Sequence, residues 1–134
     1  MVKSIPVLML IFLFAKCNNP EDDTIITREN AKKGEILFNS VGCTLCHSVS
    51  GESRYGPPLN LIFDKKMVVI RKGRKLSIKQ DRKYIIRSIK YPEFEKLIDY
   101  QNKKMPSVNI SPEDIDYIAD YLIYLNTNKE RTDK

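Results

Sequence analysis

The chain has 134 residues, enough for one domain, and its 42% hydrophobic and 30% charged content is that of a globular protein with a solvated surface. The formal net charge of +6 admits an anionic lipid surface or an acidic protein as partner. No basic motif interleaved with aromatic residues supports the remaining possibility, nucleic acid, which is set aside.

Residues 1–16 read as an export signal. Lys3 supplies a positive start, and an apolar run from Ile5 to Ala15 follows. That run is too short to cross a bilayer as a helix, which takes about 20 residues. Phe14-Ala15-Lys16-Cys17 resembles the lipobox of bacterial lipoproteins, in which the cysteine becomes the lipidated first residue; Lys16 stands where a small residue is usual. Three readings stay open: a lipoprotein signal, a short uncleaved anchor, and an ordinary cleaved signal. Lipidation of Cys17 accounts for the odd cysteine, which is otherwise an unpaired thiol in an oxidising compartment. Residues 17–26 are polar and acidic and read as a tether. Cleavage before Cys17 removes Lys3 and Lys16 and lowers the net charge from +6 to +4.

A domain is expected over residues 27–126. Thr27 is placed to cap a first helix, along which Ala31, Gly34, Leu37, Phe38 and Val41 recur at helical spacing. Glycine inside a helix costs about 1 kcal/mol against alanine, and close approach of a second helix at Gly34 is the return that spacing suggests.

Next comes Cys43-Thr44-Leu45-Cys46-His47. Two cysteines two residues apart, with histidine directly after, form the attachment signature of a c-type haem. Each sulfur adds to one vinyl group on the same edge of the porphyrin. The turn between them brings the imidazole under the iron as proximal ligand. His47 is the only histidine in the chain. A redox dithiol and a zinc site are the rival readings. The flanks do not look like the strand and helix of a thioredoxin-type dithiol, and a fourth zinc ligand would have to be Cys17. A buried haem would enlarge a modest core, so the chain without it is expected to fold poorly.

Gly56-Pro57-Pro58-Leu59-Asn60 reads as a rigid loop. Either Pro57 or Pro58 is placed to offer its carbonyl to the His47 Nδ1–H, which would fix the ring and raise its basicity. Apolar runs at 67–70 and 75–78 flank Arg71-Lys72-Gly73-Arg74 and predict a β-hairpin, with Met67 in a buried apolar role. Asp81 is expected to cap a helix that turns Tyr84, Ile85, Ser88 and Ile89 inward and stops before Pro92. Met105, beside Pro106 in a turn, is the second candidate ligand for a metal. Ser111 and Pro112 open a last helix with an apolar stripe of Ile115, Ile118, Ala119, Leu122 and Leu125. Residues 127–134 read as a polar, frayed tail.

In that order, Gly34 and Phe38, the Cys43–His47 motif, the Gly-Pro loop and Met105-Pro106 before an amphipathic helix resemble class I cytochromes c over roughly residues 27–125. The resemblance implies a small all-α fold wrapped around one covalently attached haem c, with a small β-hairpin inserted. First and last helices would cross near Gly34, where Tyr121 and Leu122 meet Gly34 and Phe38. His47 and Met105 would be the axial iron ligands, and Pro57, Pro58 and Tyr100 would belong to the haem pocket. The run from the hairpin through Ser88-Ile89, Tyr91-Pro92, Tyr100 and Met105-Pro106-Ser107 is similar to the cytochrome c domain fused to subunit II of some bacterial cytochrome c oxidases. The chain has no second cysteine pair or further histidine for a dinuclear copper centre, so it reads as a free-standing relative.

The implied function is one-electron transfer between respiratory-chain partners, toward a terminal oxidase, on the periplasmic side of a membrane to which lipid or a short anchor ties the chain. No enzyme chemistry is expected while both axial positions are filled. With Met105 displaced, the alternative is a haem-based gas sensor or peroxidase. Residues 65–90 hold eleven Lys or Arg against Asp81, while the last helix carries Glu113, Asp114, Asp116 and Asp120. This unevenness suggests a dipole that steers the haem edge toward an acidic docking patch.

Overall fold

A computed structural model describes the backbone of residues 26–132 and the side chains of residues 26–128. The expected export signal (1–16), Cys17 and the expected tether up to residue 25 lie outside the described residues. Helix α1 (Arg28–Ser40) begins where expected, with the Thr27 hydroxyl accepting from the Asn30 N–H at 3.0 Å. It buries Ala31, Gly34 and Phe38, one face at helical spacing. Helix α2 (Arg82–Lys90) starts at Asp81, whose carboxylate accepts from the Tyr84 N–H at 2.7 Å. It buries Tyr84 and Ile85 and ends before Pro92, which has no N–H to continue it. Helix α3 (Pro112–Thr132) is capped by the Ser111 hydroxyl, which accepts from the Asp114 N–H at 3.1 Å.

The two terminal helices cross at Gly34. A β-carbon there would lie 1.9 Å from the Tyr117 carbonyl oxygen and 2.8 Å from the Tyr121 β-carbon, so only glycine lets the backbones approach this closely. Phe38 and Tyr121 meet beside the crossing, ring centres 5.5 Å apart. Ile118, Ala119, Leu122 and Ile123 complete the buried face of α3. Each large apolar side chain buried in this way contributes about 1.5–3 kcal/mol relative to exposure.

The helices carry the fold, and the hairpin is present as strands β1 (Lys66–Arg71) and β2 (Arg74–Lys79). Lys72 and Gly73 make a two-residue turn with φ of 49° and 73°, the mirror-image geometry that matches strand twist. A third strand, β3 (Lys96–Leu97), pairs antiparallel with β1, giving the order β2-β1-β3. Val69 at the centre of β1 is wholly buried. Met67 is not: it is 39% exposed, because it lies toward the strand end, past the edge of the core that covers Val69. The last helix also continues beyond residue 126 to Thr132. Asn126 is no helix-ending surface residue. It is buried, its amide donates to the Leu59 carbonyl at 2.9 Å, and its oxygen accepts from the Phe63 N–H at 3.2 Å.

Ion pairs tie the elements together. Glu95, almost fully buried, is clasped by Arg71 of β1 and Arg87 of α2, whose guanidinium groups lie 5.0 and 5.4 Å from the Phe94 ring centre. Arg82 of α2 pairs with Asp116 and Asp120 of α3.

Candidate haem site

The first helix gives way to the motif at Gly42, whose φ of 89° suits glycine. A single 3-10 turn over Cys43–Leu45 follows, and the Cys43 carbonyl accepts from the N–H groups of both Cys46 (3.2 Å) and His47 (3.0 Å). This tight turn sets Cys43, Cys46 and His47 along one wall of a cleft. Both cysteines are half-buried free thiols, and burial pushes the Cys43 thiol up from its ordinary value, with Cys46 nearby adding to the rise.

The following loop folds back under the motif. The Gly56 N–H donates to the Cys46 carbonyl at 2.8 Å, and the Leu59 N–H donates to the Ser48 carbonyl at 2.7 Å. His47 Nδ1 lies 2.8 Å from the Pro57 carbonyl oxygen. A carbonyl can only accept, so in the neutral ring Nδ1 carries the proton and Nε2 keeps its lone pair. Of the two prolines considered, Pro57 makes this bond and lines the cleft; Pro58 is half-buried and does not line it. Gly56 is buried directly against the imidazole: a β-carbon on it would stand 2.6 Å from Cε1 and 2.9 Å from Nδ1 of His47. The sequence reading gave Gly56 no role, although a glycine preceding the residue proposed to offer its carbonyl was the available signal.

Most of the rest of the cleft is apolar. Phe38 of α1, Ile85 and Ile89 of α2, and Ile118 and Leu122 of α3 line it, with Pro92 and Leu97 between them. Tyr100 and Met105 both line it too, from the segment after β3. Counting the part open to solvent, the space between these side chains amounts to about 1030 Å³. Among the described residues, two buried side-chain polar atoms have no partner, Gln80 Oε1 and Ser88 Oγ, and both residues line this cleft. Native proteins pair nearly all buried polar groups. Two orphans facing one apolar cleft therefore suit a large flat apolar group with polar substituents at its rim, and the Gln80 amide can turn either end toward it. Haem, with two carboxylates on an apolar ring, fits that requirement, and the two thiols and the free imidazole nitrogen fit its covalent attachment and its iron.

A helical fold gathered around such a cleft defines a protein that holds haem through thioether bonds. The chain belongs to the cytochrome c family, whose profile matches residues 31–126. Its cofactor is covalently attached haem c, and its class of function is haem-based electron transfer with redox partners. Among solved structures, the chain is similar to a cytochrome c from Rhodothermus marinus, with 23% identity and a TM-score of 0.52 over 77% of this chain and 82% of that one. It is also similar to an engineered cytochrome c from the same organism bound to a carbene intermediate, with 22% identity and a TM-score of 0.48 over the same shares. At these identities the likeness concerns the fold alone. No curated protein matches the chain.

The basic stretch looks different in three dimensions. Arg71 and Arg87 are spent on Glu95, Arg82 on Asp116 and Asp120, and Lys79 pairs with Asp64. No residue of β1 or β2 lines the cleft; Lys96, Lys103 and Lys104 do.

Proposed function

We propose that the chain is a single-haem electron carrier of a respiratory chain in which Cys43 and Cys46 bind the haem, and His47 and Met105 are the axial iron ligands. The observation that carries this reading is the 2.8 Å bond from His47 Nδ1 to the Pro57 carbonyl, in a cleft that Met105 also lines. The bond holds the ring in one tautomer and one orientation, so Nε2 is ready to donate without rearrangement. Gly56 leaves the space beside the ring that a side chain there would take. When bound, haem supplies the one-electron couple. The chain's part is to keep both axial positions filled, to exclude water with Phe38, Ile85 and Leu122, and to favour the reduced form through a thioether ligand and an apolar surround.

The test is the visible spectrum of the protein exported together with haem-attachment machinery, oxidised and reduced, with carbon monoxide added. Colour that survives denaturing extraction, with a low-spin spectrum indifferent to carbon monoxide, is the expected result. Rapid carbon monoxide binding removes Met105 from its role and favours the sensor or peroxidase reading. A colourless protein sinks the site assignment.

The partner is inferred to be a protein with an acidic patch, with a terminal oxidase as acceptor; the support is the likeness of the 67–107 segment to oxidase-fused cytochrome domains and the lysines at the cleft. Electron-transfer rates with such a partner fall as ionic strength rises; flat rates would refute steering. Export to the periplasmic side and anchoring through Cys17 complete the reading. Among the described residues no helix is long and apolar enough to cross a membrane. Mass spectrometry of the mature N-terminus distinguishes a lipidated Cys17 from an intact leader or a plain cleaved end.

A further inference from the structure

The loop that carries Met105 is held mostly from its own side of the cleft. The Lys103 N–H donates to the Tyr100 carbonyl at 2.9 Å, and Lys96 Nζ donates to the Lys103 carbonyl at 2.7 Å while pairing with Glu93 at 2.9 Å. Among the described residues, one hydrogen bond runs from this loop to the motif side of the cleft. The Lys104 N–H donates to the Tyr55 hydroxyl at 3.3 Å. The same tyrosine ring receives Lys103 Nζ at 4.9 Å from its centre.

Tyr55 directly precedes Gly56, the residue pressed against the His47 ring and bonded to the Cys46 carbonyl. Lys104 directly precedes Met105. A short chain of contacts therefore joins the two candidate iron ligands around the outside of the cleft: His47, Gly56, Tyr55, Lys104, Met105. Tyr55 is 49% exposed, so little of the core holds it. Tyr55 lines the cleft, and both of the contacts that the Met105 loop makes across it fall on this one side chain.

We propose that Tyr55 is a positioning residue, a strap across the cleft that keeps the Met105 loop closed and sets how often the sixth position opens to an outside ligand. This rests on Met105 being that sixth ligand. Loop openings draw on the least stable contacts of a protein, and an exogenous ligand binds in proportion to the open population. Tyr55→Ala removes the hydroxyl and the ring together; Tyr55→Phe removes the hydroxyl alone and keeps the cation over the ring.

The experiment measures carbon monoxide association to the reduced holoprotein, together with its reduction potential and thermal midpoint. Four variants are compared: Tyr55→Ala, Tyr55→Phe, Met105→Ala and, as a control, Tyr91→Ala. Tyr91 is also exposed and also carries a lysine over its ring, at 5.4 Å, but does not line the cleft. Association is expected to quicken roughly tenfold in Tyr55→Ala and roughly threefold in Tyr55→Phe, the sizes that go with losing a solvent-exposed hydrogen bond with and without its cation–π contact. The potential falls in step, and Tyr91→Ala leaves both unchanged. If Met105→Ala opens the site and neither Tyr55 variant binds faster than the natural protein, the strap is refuted while the ligand assignment stands. If Tyr55→Ala does not fold, an unchanged Tyr55→Phe refutes it equally. If Met105→Ala leaves spectrum and association unchanged, the ligand assignment itself fails. A lower thermal midpoint with unchanged association marks Tyr55 as merely structural and also overturns the proposal.

Discussion

Gly56 has to be small because the imidazole occupies the space where a side chain would begin. Its φ is not in the left-handed region, so the constraint is contact rather than backbone freedom. Gly56→Ala sets a methyl 2.6 Å from the His47 ring and is expected to push the ring off the Pro57 carbonyl. The expected outcome is loss of the low-spin spectrum and a stability loss of about 1–3 kcal/mol, the ordinary cost of overpacking, read by visible spectroscopy and denaturant titration. Asn126 makes a second case. Asn126→Ala strands the Phe63 N–H and the Leu59 carbonyl in a part-buried place, and a loss of about 2 kcal/mol in denaturant stability is expected. These two residues also mark the limit of what the sequence disclosed. Cys43, Cys46 and His47 were legible because their chemistry is written in five adjacent positions. Beyond a bond to the Leu122 carbonyl in its own helix, the partners of Asn126 lie more than sixty residues away, and nothing local to Asn126 announces them.

The elements were legible where period and caps agreed. Thr27, Asp81 and Ser111 each accept from the N–H three residues on, as helix caps do. Strand β3 was not legible, because two residues carry no alternation and the strand exists only through its pairing with Val69 and Ile70. Gly34 was read correctly as a crossing point, but the group it yields to is the Tyr117 carbonyl, a backbone atom that no side-chain pattern can reveal. Gly34→Ala therefore sets a methyl against backbone on a facing helix, which cannot turn aside as a side chain can. The two helices have to separate, at an expected cost of about 3 kcal/mol, checked by the denaturant midpoint at unchanged slope.

At the scale of the molecule, stability has an alkaline limit set at the helix crossing. Burial, with a smaller contribution from Glu35, raises the Tyr121 phenol above the ordinary tyrosine value of 10.0. The unfolded chain loses this proton near pH 10, before the folded chain does. Between the two values the folded state binds more protons, so stability falls as pH rises; below pH 10 the group adds no slope. Tyr121→Phe is expected to keep more of its thermal stability than the natural protein above pH 10, and the two curves should run parallel below it. Parallel curves throughout would mean that Tyr121 ionises freely in the fold.

The Gly34 crossing also orders events in time. It joins a helix near the start of the described chain to one near its end, so the fold cannot close until the last helix is available. Contacts of such long range form late, after the intervening chain has been gathered. Cys43 and Cys46 leave the ribosome well before that moment. During this interval the pentapeptide is not yet one wall of a closed cleft. The architecture thus leaves its two thiols open to modification early and encloses them last.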